Sequence, residues 1–444
     1  MKAEPSLSIA DPSGSHPLQK LGVTLVATAI LAALIAAFGV GQQYPLLFLW
    51  LIISLTFLGV SIYSIPVYKS LPGIKNNGVM FSKATNKGAI AWGIAILFTG
   101  FYIILYWFPF LLEGLIRTMD PLSYMLKGVK ADHWFLYGSF YTLAVLAMGI
   151  KFIGKYRHSR YHIIRTFSVM FFQLGFAFLI PSFLVKLNQP EFYFSYFWPL
   201  KYSYLFPNDV NYLVSSGNIG VFMVFWGAVM TFVATPLLTY KYGKRWYCSW
   251  VCGCGGLAET LGDPYRHLSD KSLKAWKIER WMVHSVLVFV TLTTALLWLN
   301  SWKEGTILGN LSGSFAQWYG FFIGSIFSGV IGTGFYPLMG PRVWCRFGCP
   351  MAALLGLFQR FKSRFRITTN GGQCISCGNC STYCEMGIDV RAYAQKGENI
   401  IRSSCVGCGI CASVCPRGVL KLENLAEAGR FDPYIRPAEK PKVV

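Results

Sequence analysis

Eight apolar segments, each about as long as a lipid bilayer is thick, constrain this chain more than any other feature. They lie at 21–40, 45–67, 89–107, 135–153, 167–187, 218–239, 282–300 and 318–338. Crossing a hydrocarbon core about 30 Å thick takes roughly 20 helical residues. The composition, 54% hydrophobic and only 13% charged, is typical of integral membrane proteins. We therefore expect a mostly α protein whose main part is a polytopic helical bundle.

The net charge of +21 is spread in a way that predicts membrane orientation. Basic residues concentrate in alternate loops at 69–88, 154–166 and 240–281, and the intervening loops contain fewer of them. This distribution differs from a nucleic-acid-binding patch, so we expect no nucleic-acid partner. By the positive-inside rule, both termini and the C-terminal domain are expected in the cytoplasm, in contact with membrane lipids.

Two runs of four cysteines near the C-terminus predict two [4Fe–4S] clusters. Both have the spacing C-x2-C-x2-C-x3-C, in which three cysteines bind one cluster and the fourth binds the other. The predicted ligands of the first cluster are Cys374, Cys377, Cys380 and Cys415. Those of the second are Cys405, Cys408, Cys411 and Cys384. Zinc ribbons rarely repeat this spacing, and the alternative of a disulfide framework is disfavoured in a reducing cytoplasm.

A second constellation of cysteines follows the sixth and the eighth apolar segments. The motifs are Arg245-Trp-Tyr-Cys248-Ser-Trp-Val-Cys252-Gly-Cys254 and Arg342-Val-Trp-Cys345-Arg-Phe-Gly-Cys349-Pro350. Their matching position predicts a doubled helix-hairpin unit, and cysteines four apart on a helix share one face. Two such pairs would form a redox or metal site at Cys248, Cys252, Cys345 and Cys349, with Cys254 as a weaker candidate. A reversible disulfide and simple packing of buried thiols are the alternatives.

The arginines three residues before each of these motifs have two interpretations. Arg245 and Arg342 could lower the pKa of the neighbouring thiols and so favour thiolates. Alternatively, they could contact lipid headgroups.

The combination of two R-x2-C-x3-C motifs with two ferredoxin motifs resembles the NapH/NosR/CcoG group of membrane-bound polyferredoxins over roughly 165–420. The resemblance implies a bacterial inner-membrane protein that passes electrons between quinol and partner oxidoreductase or ferredoxin subunits, or that serves the maturation of respiratory enzymes. The group's C-x3-C-P motifs correspond to Cys248/Cys252 and Cys345/Cys349. The first copy departs from that pattern, because Gly253 stands in place of proline and Cys254 follows it.

The predicted organisation has six parts. They are a disordered cytoplasmic tail (1–19), a four-helix membrane region (20–164), the doubled unit (165–350), an interfacial basic helix and linker (351–369), a two-cluster ferredoxin-like α+β domain (370–422) and a C-terminal tail (423–444). The interfacial helix is expected to turn its basic residues towards anionic headgroups. A solvated connector is the alternative for that segment.

The histidines and carboxylates limit the further chemistry that we expect. Haem in a helical bundle needs facing axial ligands, and most of the six histidines fall in predicted loops, so no haem is expected. We expect His158 and His162 to face solvent or headgroups, whereas a quinone-contacting or proton-accepting role is open for His133 and His284. The absence of carboxylates from the apolar segments argues against an ion pump.

Three hypotheses for function remain. The first is an electron-transfer protein, a redox subunit that links the quinone pool or a cytoplasmic donor to a partner oxidoreductase. The second is a maturation factor that reduces a metal or a disulfide for a respiratory enzyme, with the C-x3-C pairs as its working site. The third is a membrane scaffold whose clusters are structural.

Overall fold

The structure is a computed structural model that describes residues 16–68, 84–307, 309 and 311–424. Among these residues, eight helices are long and apolar enough to cross a membrane. They are α1 (Pro17–Ala37), α2 (Pro45–Tyr68), α3 (Ala89–Trp107), α4 (His133–Lys155), α5 (Arg160–Lys186), α6 (Asn218–Tyr242), α7 (Leu273–Trp302) and α8 (Gly313–Gly334). The predicted helical bundle with eight spans is therefore confirmed.

The helix ends differ from the predicted ones where polar turns extend an apolar segment. Both α5 and α7 begin before the predicted starts at 167 and 282, because their first turns carry basic residues that an apolar pattern leaves out. Within the predicted N-terminal tail only residues 16–19 are described, and α1 already begins at Pro17. Three spans contain π-helical segments, at Phe172–Leu179, Met230–Ala234 and Gly320–Ile331.

Close packing of small residues holds the first two helices together. Gly22 of α1 and Gly59 of α2 face each other, and a Cβ added at Gly22 would lie 2.6 Å from the Gly59 carbonyl oxygen. Two short helices, Glu113–Thr118 and Asp120–Leu126, connect α3 to α4 and close the core of this N-terminal region.

Short elements carry the cysteine motifs between the spans. The first motif lies on the helices Arg245–Cys248 and Gly253–Thr260, followed by a 3-10 turn at Asp263–Leu268. The second follows the short helix Tyr336–Met339 and occupies a π-helical turn, Trp344–Gly348, that leads into α9 (Pro350–Lys362). The remaining short helices lie at Val40–Gln42, Pro109–Leu112, Tyr202–Leu205 and Pro207–Ser215.

A small α+β domain follows α9, and we call residues 366–424 the cluster domain. Strands β1 (Arg366–Thr369) and β2 (Leu420–Glu423) pair antiparallel, with Ile367 opposite Leu422. Between them lie the 3-10 turn Gly371–Gln373 and the helices Asn379–Thr382, Val390–Lys396 and Ile410–Ser413. The sheet thus uses residues 366–369, which the sequence analysis placed in the linker. The predicted C-terminal tail lies outside the described residues from 425 onward.

The cluster domain is seated on one end of the bundle, where α4 and α6 end and where α5 and α7 begin. The Tyr161 hydroxyl of α5 donates to the Gly407 carbonyl (2.8 Å), and Arg402 stacks on Trp276 of α7 (4.4 Å). The Gln359 amide of α9 donates to the carbonyls of Arg402 and Cys405 at 2.7 and 2.8 Å. These contacts fix the domain on the bundle without a flexible linker between them.

His162 is one residue whose environment was predicted wrongly. It is only 1% exposed, and it lies between the bundle and the cluster domain instead of facing solvent or headgroups. Its ring stacks on Tyr156 (5.2 Å between centroids), and its Nδ1 lies 3.2 Å from the Ser413 hydroxyl. A loop between apolar segments looked solvated in the sequence because the domain that covers it comes about 250 residues later.

Candidate metal centres

The structure brings the eight ferredoxin-motif cysteines together in two groups of four, each lining one cavity. We call the first the exposed cavity, because its Cys377 thiol is open to solvent; its four cysteines are Cys374, Cys377, Cys380 and Cys415. The second, which we call the buried cavity, lies against the bundle, and its four cysteines are Cys384, Cys405, Cys408 and Cys411. In each group, three cysteines come from one motif and the fourth comes from the other.

Glycines in left-handed conformation shape both cavities in the same way. Gly378 (φ +79°) and Gly409 (φ +83°) each precede the short helix that presents the third cysteine of its motif. A residue with a Cβ is strained at such φ values, so glycine is what this turn requires. The fourth cysteines also match, because the Cys384 and Cys415 sulfurs each accept a backbone N–H bond of 3.4 Å, from Ile388 and Val419.

These features fit a [4Fe–4S] group in each cavity. Within the described part of the chain, no three His, Cys, Asp or Glu side chains converge closely enough to hold a single metal ion. Four sulfurs spread around a cavity suit a group that offers each cysteine its own iron. Burial raises the pKa of Cys405 to about 11 and that of Cys380 to about 12, so metal binding would displace protons from these thiols.

The cysteines of the two C-x3-C motifs also meet, beside the buried end of α9. Cys248, Cys252, Cys345 and Cys349 are all less than 10% exposed and belong to one buried cluster, and Cys254 packs against it. We call these five residues the five-cysteine cluster. The Cys254 thiol is hydrogen-bonded to Cys252, and this bond, with the N–H of Gly255 and the charge of Arg342, lowers the pKa of Cys252 to about 7 despite its burial. The structure thus gathers all the candidates that the sequence analysis named.

The way in which each motif presents its cysteines was predicted wrongly. In neither copy do the two cysteines lie on one face of a single helix. Cys248 ends one helix while Cys252, in extended conformation (ψ 123°), caps the next; Cys345 lies in a π-helical turn while Cys349 (ψ 111°) caps α9. Proline at position 350 explains the second break, since it cannot continue a helix but suits its first turn.

The two motif arginines, equivalent in sequence, have different surroundings. Arg342 is 1% exposed, and its Nη1 lies 3.6 Å from the Cys345 sulfur and donates to the Cys248 carbonyl at 3.3 Å. Arg245 instead stacks on Phe365 (4.7 Å) and donates to the Asn424 side chain at 3.0 Å. Only Arg342 therefore has the position to favour a thiolate in the five-cysteine cluster.

A buried network of charged side chains joins the five-cysteine cluster to the buried cavity. Arg342 forms ion pairs with Glu259 (2.8 Å) and with Glu385 (3.0 Å), the residue that follows Cys384. Glu259 also pairs with Arg165 (2.8 Å), whose guanidinium donates to the Cys408 carbonyl. Arg342 thus contacts the five-cysteine cluster directly. Its ion pair with Glu385 also links it to the buried cavity, because Glu385 follows Cys384 in the chain.

The network continues towards the end of α4. Arg266 pairs with Glu385 (2.6 Å) and with Asp263 (2.8 Å), and Asp263 pairs with Lys155 (2.6 Å). Burial alone would raise the pKa of Asp263, but Lys155 and Arg266 together hold it well below its usual range. Burial likewise acts against the charge of Glu385, yet Arg266 and Arg342 lower its pKa. These basic side chains favour the ionised form of both carboxylates, and the network contains four basic and three acidic side chains.

This network was not predicted from the sequence. One signal was available, because the chain has only 19 acidic residues, and three of them flank the cysteine motifs. Glu259 and Asp263 follow the first C-x3-C motif at a spacing of four, and Glu385 directly follows Cys384. Carboxylates placed beside metal-ligand motifs in an acid-poor chain predict paired, buried charges.

Two further cavities adjoin the five-cysteine cluster. The first is a cleft that Arg280 and His284 of α7 line together with Cys345. The second is enclosed by hydroxyl-bearing residues of α4 and α8, including Tyr137, Tyr141 and Thr333, and it reaches Cys254. His284 thus lies near the candidate centre, whereas His133, at the first turn of α4, packs on Trp134 (4.8 Å).

Comparisons with protein families support the iron–sulfur assignment. A family described as "4Fe-4S dicluster domain" matches residues 366–416. A second family, described as "4Fe-4S binding domain", matches twice, at 224–273 and 319–368. The first match covers all eight cysteines of the two cavities, and the second family's two matches each cover one C-x3-C motif. The chain therefore contains 4Fe–4S ferredoxin-type domains next to eight candidate membrane spans.

Three curated proteins resemble parts of the chain. "Putative electron transport protein YccM" of Escherichia coli is 24% identical over 169 residues, which are 36% of this chain and 46% of that protein. Two proteins of Methanocaldococcus jannaschii without an assigned function, MJ0749 and MJ0750, are 26% and 23% identical over 167 and 215 residues. These cover 36% and 47% of this chain, and 59% and 83% of the two proteins. The chain thus spans about half the length of the first two relatives. No solved structure matches it.

Proposed function

We propose that this chain is a membrane-bound iron–sulfur electron-transfer protein of the NapH/NosR/CcoG type. It relays electrons between the quinone pool, or a cytoplasmic donor, and a partner oxidoreductase. The observation that carries this proposal is the direct contact between the five-cysteine cluster and the buried cavity, through the ion pair of Arg342 with Glu385 and the hydrogen bond from Ser249 to the Val406 carbonyl. Three cysteine sites, two in the cluster domain and one at the end of the bundle, are an arrangement suited to electron transfer.

In this proposal, Cys384, Cys405, Cys408 and Cys411 hold one [4Fe–4S] group and Cys374, Cys377, Cys380 and Cys415 hold another. Each such group, when bound, supplies a one-electron redox couple. The backbone N–H groups of Ile388 and Val419 hydrogen-bond to the fourth cysteine of each set, and hydrogen bonds to sulfur are one determinant of reduction potential. Cys248, Cys252, Cys345 and Cys349 form a third redox or metal site, with Cys254 beside it.

Arg342 has a defined part in this arrangement. Its guanidinium touches the Cys345 sulfur and pairs with Glu385, which follows a cysteine of the buried cavity. A positive charge shared between two thiolate sites lowers the electrostatic cost of placing negative charge on either of them. Arg342 therefore stabilises both sites in their electron-rich forms and positions them relative to each other.

The orientation in the membrane is part of the same proposal. The cluster domain sits at the end of the bundle next to the basic loops, and the positive-inside rule places that end in the cytoplasm of a bacterial inner membrane. The two [4Fe–4S] groups would then lie on the reducing side, where a soluble partner can reach the exposed cavity.

A maturation role, in which the chain reduces a metal or a disulfide for another enzyme, is a second candidate. The hydrogen bond between Cys252 and Cys254 favours it, because two adjacent thiols can form a disulfide. Oxidation of this dithiol releases two electrons and two protons, and the two cluster sites can each take up one electron. Reduction of a partner's disulfide or metal would run through the same pair.

The proposal is tested by EPR on anaerobically purified protein, with a reduced quinol added before any dithionite. We expect the quinol to produce cluster signals in the native chain. In a Cys248→Ser/Cys345→Ser variant, we expect dithionite alone to produce them, because the five-cysteine site is interrupted while both cavities are intact.

Three outcomes would contradict parts of this proposal. Signals from quinol in the variant that equal those of the native chain would remove the five-cysteine site from the route. Signals that only dithionite produces in the native chain would favour electron entry from the cytoplasm. Clusters that no donor reduces would leave a structural, scaffolding role.

A further inference from the structure

The rim of the exposed cavity has the features of a protein docking surface. Its centre is apolar and accessible, because the Cys377 thiol is open to solvent and Ile375 beside it is 56% exposed. Ile375 and the exposed Cys377 give this rim an accessible apolar centre beside a candidate redox centre. The four cysteines of the buried cavity are all buried or half-buried, and the bundle contacts this cavity through α4 and α5.

The charge around this apolar centre is positive. Arg391 and Arg417 both line the exposed cavity, and both are exposed. Among the described residues that line it, there is no acidic side chain. Lys396 is also exposed, and the preceding residue, Gln395, donates to the Ser376 hydroxyl at the cavity edge (2.7 Å).

Glu398 is exposed but does not line the cavity, and Asp389, the acidic residue just before the helix that carries Arg391, is already engaged. Asp389 is partly buried, and its carboxylate accepts a hydrogen bond from the Ser381 hydroxyl (2.6 Å), which fixes the start of the helix Val390–Lys396. The rim therefore presents unneutralised positive charge around an apolar patch. A surface of this kind is complementary to a partner that has acidic groups around an exposed redox centre.

We propose that the exposed cavity is the docking surface for an acidic, soluble one-electron carrier protein, of the flavodoxin or ferredoxin class. This inference rests on the proposed function, because it names the partner that exchanges electrons with the outermost centre. One electron passes between the group held by Cys374, Cys377, Cys380 and Cys415 and the carrier, and no covalent bond forms or breaks. With a flavin carrier, the electron and one proton from solvent convert oxidised FMN to its semiquinone.

We expect the complex with the carrier to be transient. Electron-transfer encounters between proteins bury less than about 1,200 Å² and use charge to guide the approach. A few exposed cations around one apolar residue are enough for such steering, and they allow the carrier to leave after one turnover.

The test uses oxidised flavodoxin as the acidic probe and the full chain, reduced anaerobically by photoreduced deazariboflavin, a small uncharged donor. Stopped-flow absorbance follows formation of the flavodoxin semiquinone at low and high salt. We expect the native rate to fall as salt rises. An Arg391→Glu/Arg417→Glu variant should react about tenfold more slowly at low salt, and the two rates should converge at high salt.

The matched control is Arg360→Glu, which reverses the charge of an exposed arginine on α9, away from the exposed cavity. It should leave the flavodoxin rate within about twofold of the native one. All variants should be reduced by deazariboflavin at equal rates, which shows that both cysteine cavities are intact. Failure of that reduction in the native chain would count against the proposed function itself.

Two other results would overturn the docking proposal while leaving the proposed function in place. One is a flavodoxin rate that neither salt nor the double charge reversal changes. The other is a chain ending at residue 424 that reacts at least tenfold faster than the full chain, with no effect of the charge reversal in either. In that case the surface would be occupied by the chain's own C-terminal residues and not by an acidic partner.

Discussion

The two cysteine cavities of the cluster domain have the same local construction and opposite surroundings. Each has a C-x2-C-x2-C run, a left-handed glycine before the third cysteine and a fourth cysteine that accepts a backbone N–H bond. The buried cavity is held by α4, α5 and a network of ion pairs. The exposed cavity is edged by Ile375, Arg391 and Arg417, which are open to solvent.

This difference shows that the motif determines the cavity while the tertiary contacts determine its role. Ser249, which lies inside the first C-x3-C motif, donates its hydroxyl to the Val406 carbonyl (2.9 Å) in the buried-cavity motif. Ile375, which corresponds to Val406 in the other motif, is exposed, and Ser376 beside it accepts a hydrogen bond from Gln395 within the cluster domain. One cavity is therefore built into the bundle, and the other depends on the cluster domain alone.

The largest difference between the two cavities, in iron content and in electron transfer, is expected when one of their cysteines is replaced by serine. Cys408→Ser should remove the irons of the buried cavity and also stop electrons from reaching the exposed one from the membrane side. Cys377→Ser should remove a similar amount of iron but leave the buried cavity reducible. Iron and sulfide analysis with EPR of both variants measures this. Loss of both cluster signals in Cys377→Ser, or full iron retention in Cys408→Ser, would contradict the assignment of ligands.

A smaller difference, in the stability of the folded protein, is expected when the arginines beside the two cavities are replaced. Arg342→Met leaves Glu259 and Glu385 without a shared, fully buried partner, and breaking a buried ion pair on one side costs about 3–5 kcal/mol. Arg391→Met, at the exposed rim, should change stability by less than about 0.5 kcal/mol. The midpoint of thermal unfolding in detergent compares the two.

A conservative variant distinguishes the role of this charge from that of the side chain's packing. Arg342→Lys keeps the charge but cannot pair with both carboxylates in the same fork geometry, so it should recover only part of the lost stability. Equal midpoints for Arg342→Met and Arg391→Met would show that the network does not hold the cluster domain on the bundle.

The same contrast explains what could be predicted from the sequence. The eight spans and the cysteine sets depend on local patterns, namely apolar length and the spacing of cysteines, and both are visible in the chain. The surroundings of His162, the partners of Arg342 and the difference between Arg245 and Arg342 depend on segments more than 40 residues apart, such as Arg342 with Glu259 and with Glu385. A single sequence does not reveal which of two equivalent arginines a distant carboxylate will meet.

The role of α4 likewise depends on contacts between segments that are distant in sequence. A four-helix region before the doubled unit was predicted from the sequence, without a role for it. In the structure, Phe152 and Tyr156 at the end of α4 pack against Ile410 and Val414, beside Cys408, and Lys155 completes the ion network through Asp263. The N-terminal region therefore forms part of the surface on which the buried cavity packs. No local sequence pattern predicts this contact.

The smallest predicted difference concerns the two glycines at matching motif positions. Alanine at Gly378 suffers left-handed backbone strain of roughly 1–2 kcal/mol, and its Cβ would meet only Arg391 at 3.8 Å. Alanine at Gly409 suffers the same strain, but its Cβ would also lie 2.8 Å from the ring of Tyr161, whose hydroxyl holds the Gly407 carbonyl. Gly409→Ala should therefore lower the unfolding midpoint more than Gly378→Ala and should release iron sooner on heating. Equal unfolding midpoints would mean that the Tyr161 ring moves aside at no cost in free energy. The contact between α5 and the buried cavity would then contribute less to stability than its hydrogen bonds indicate.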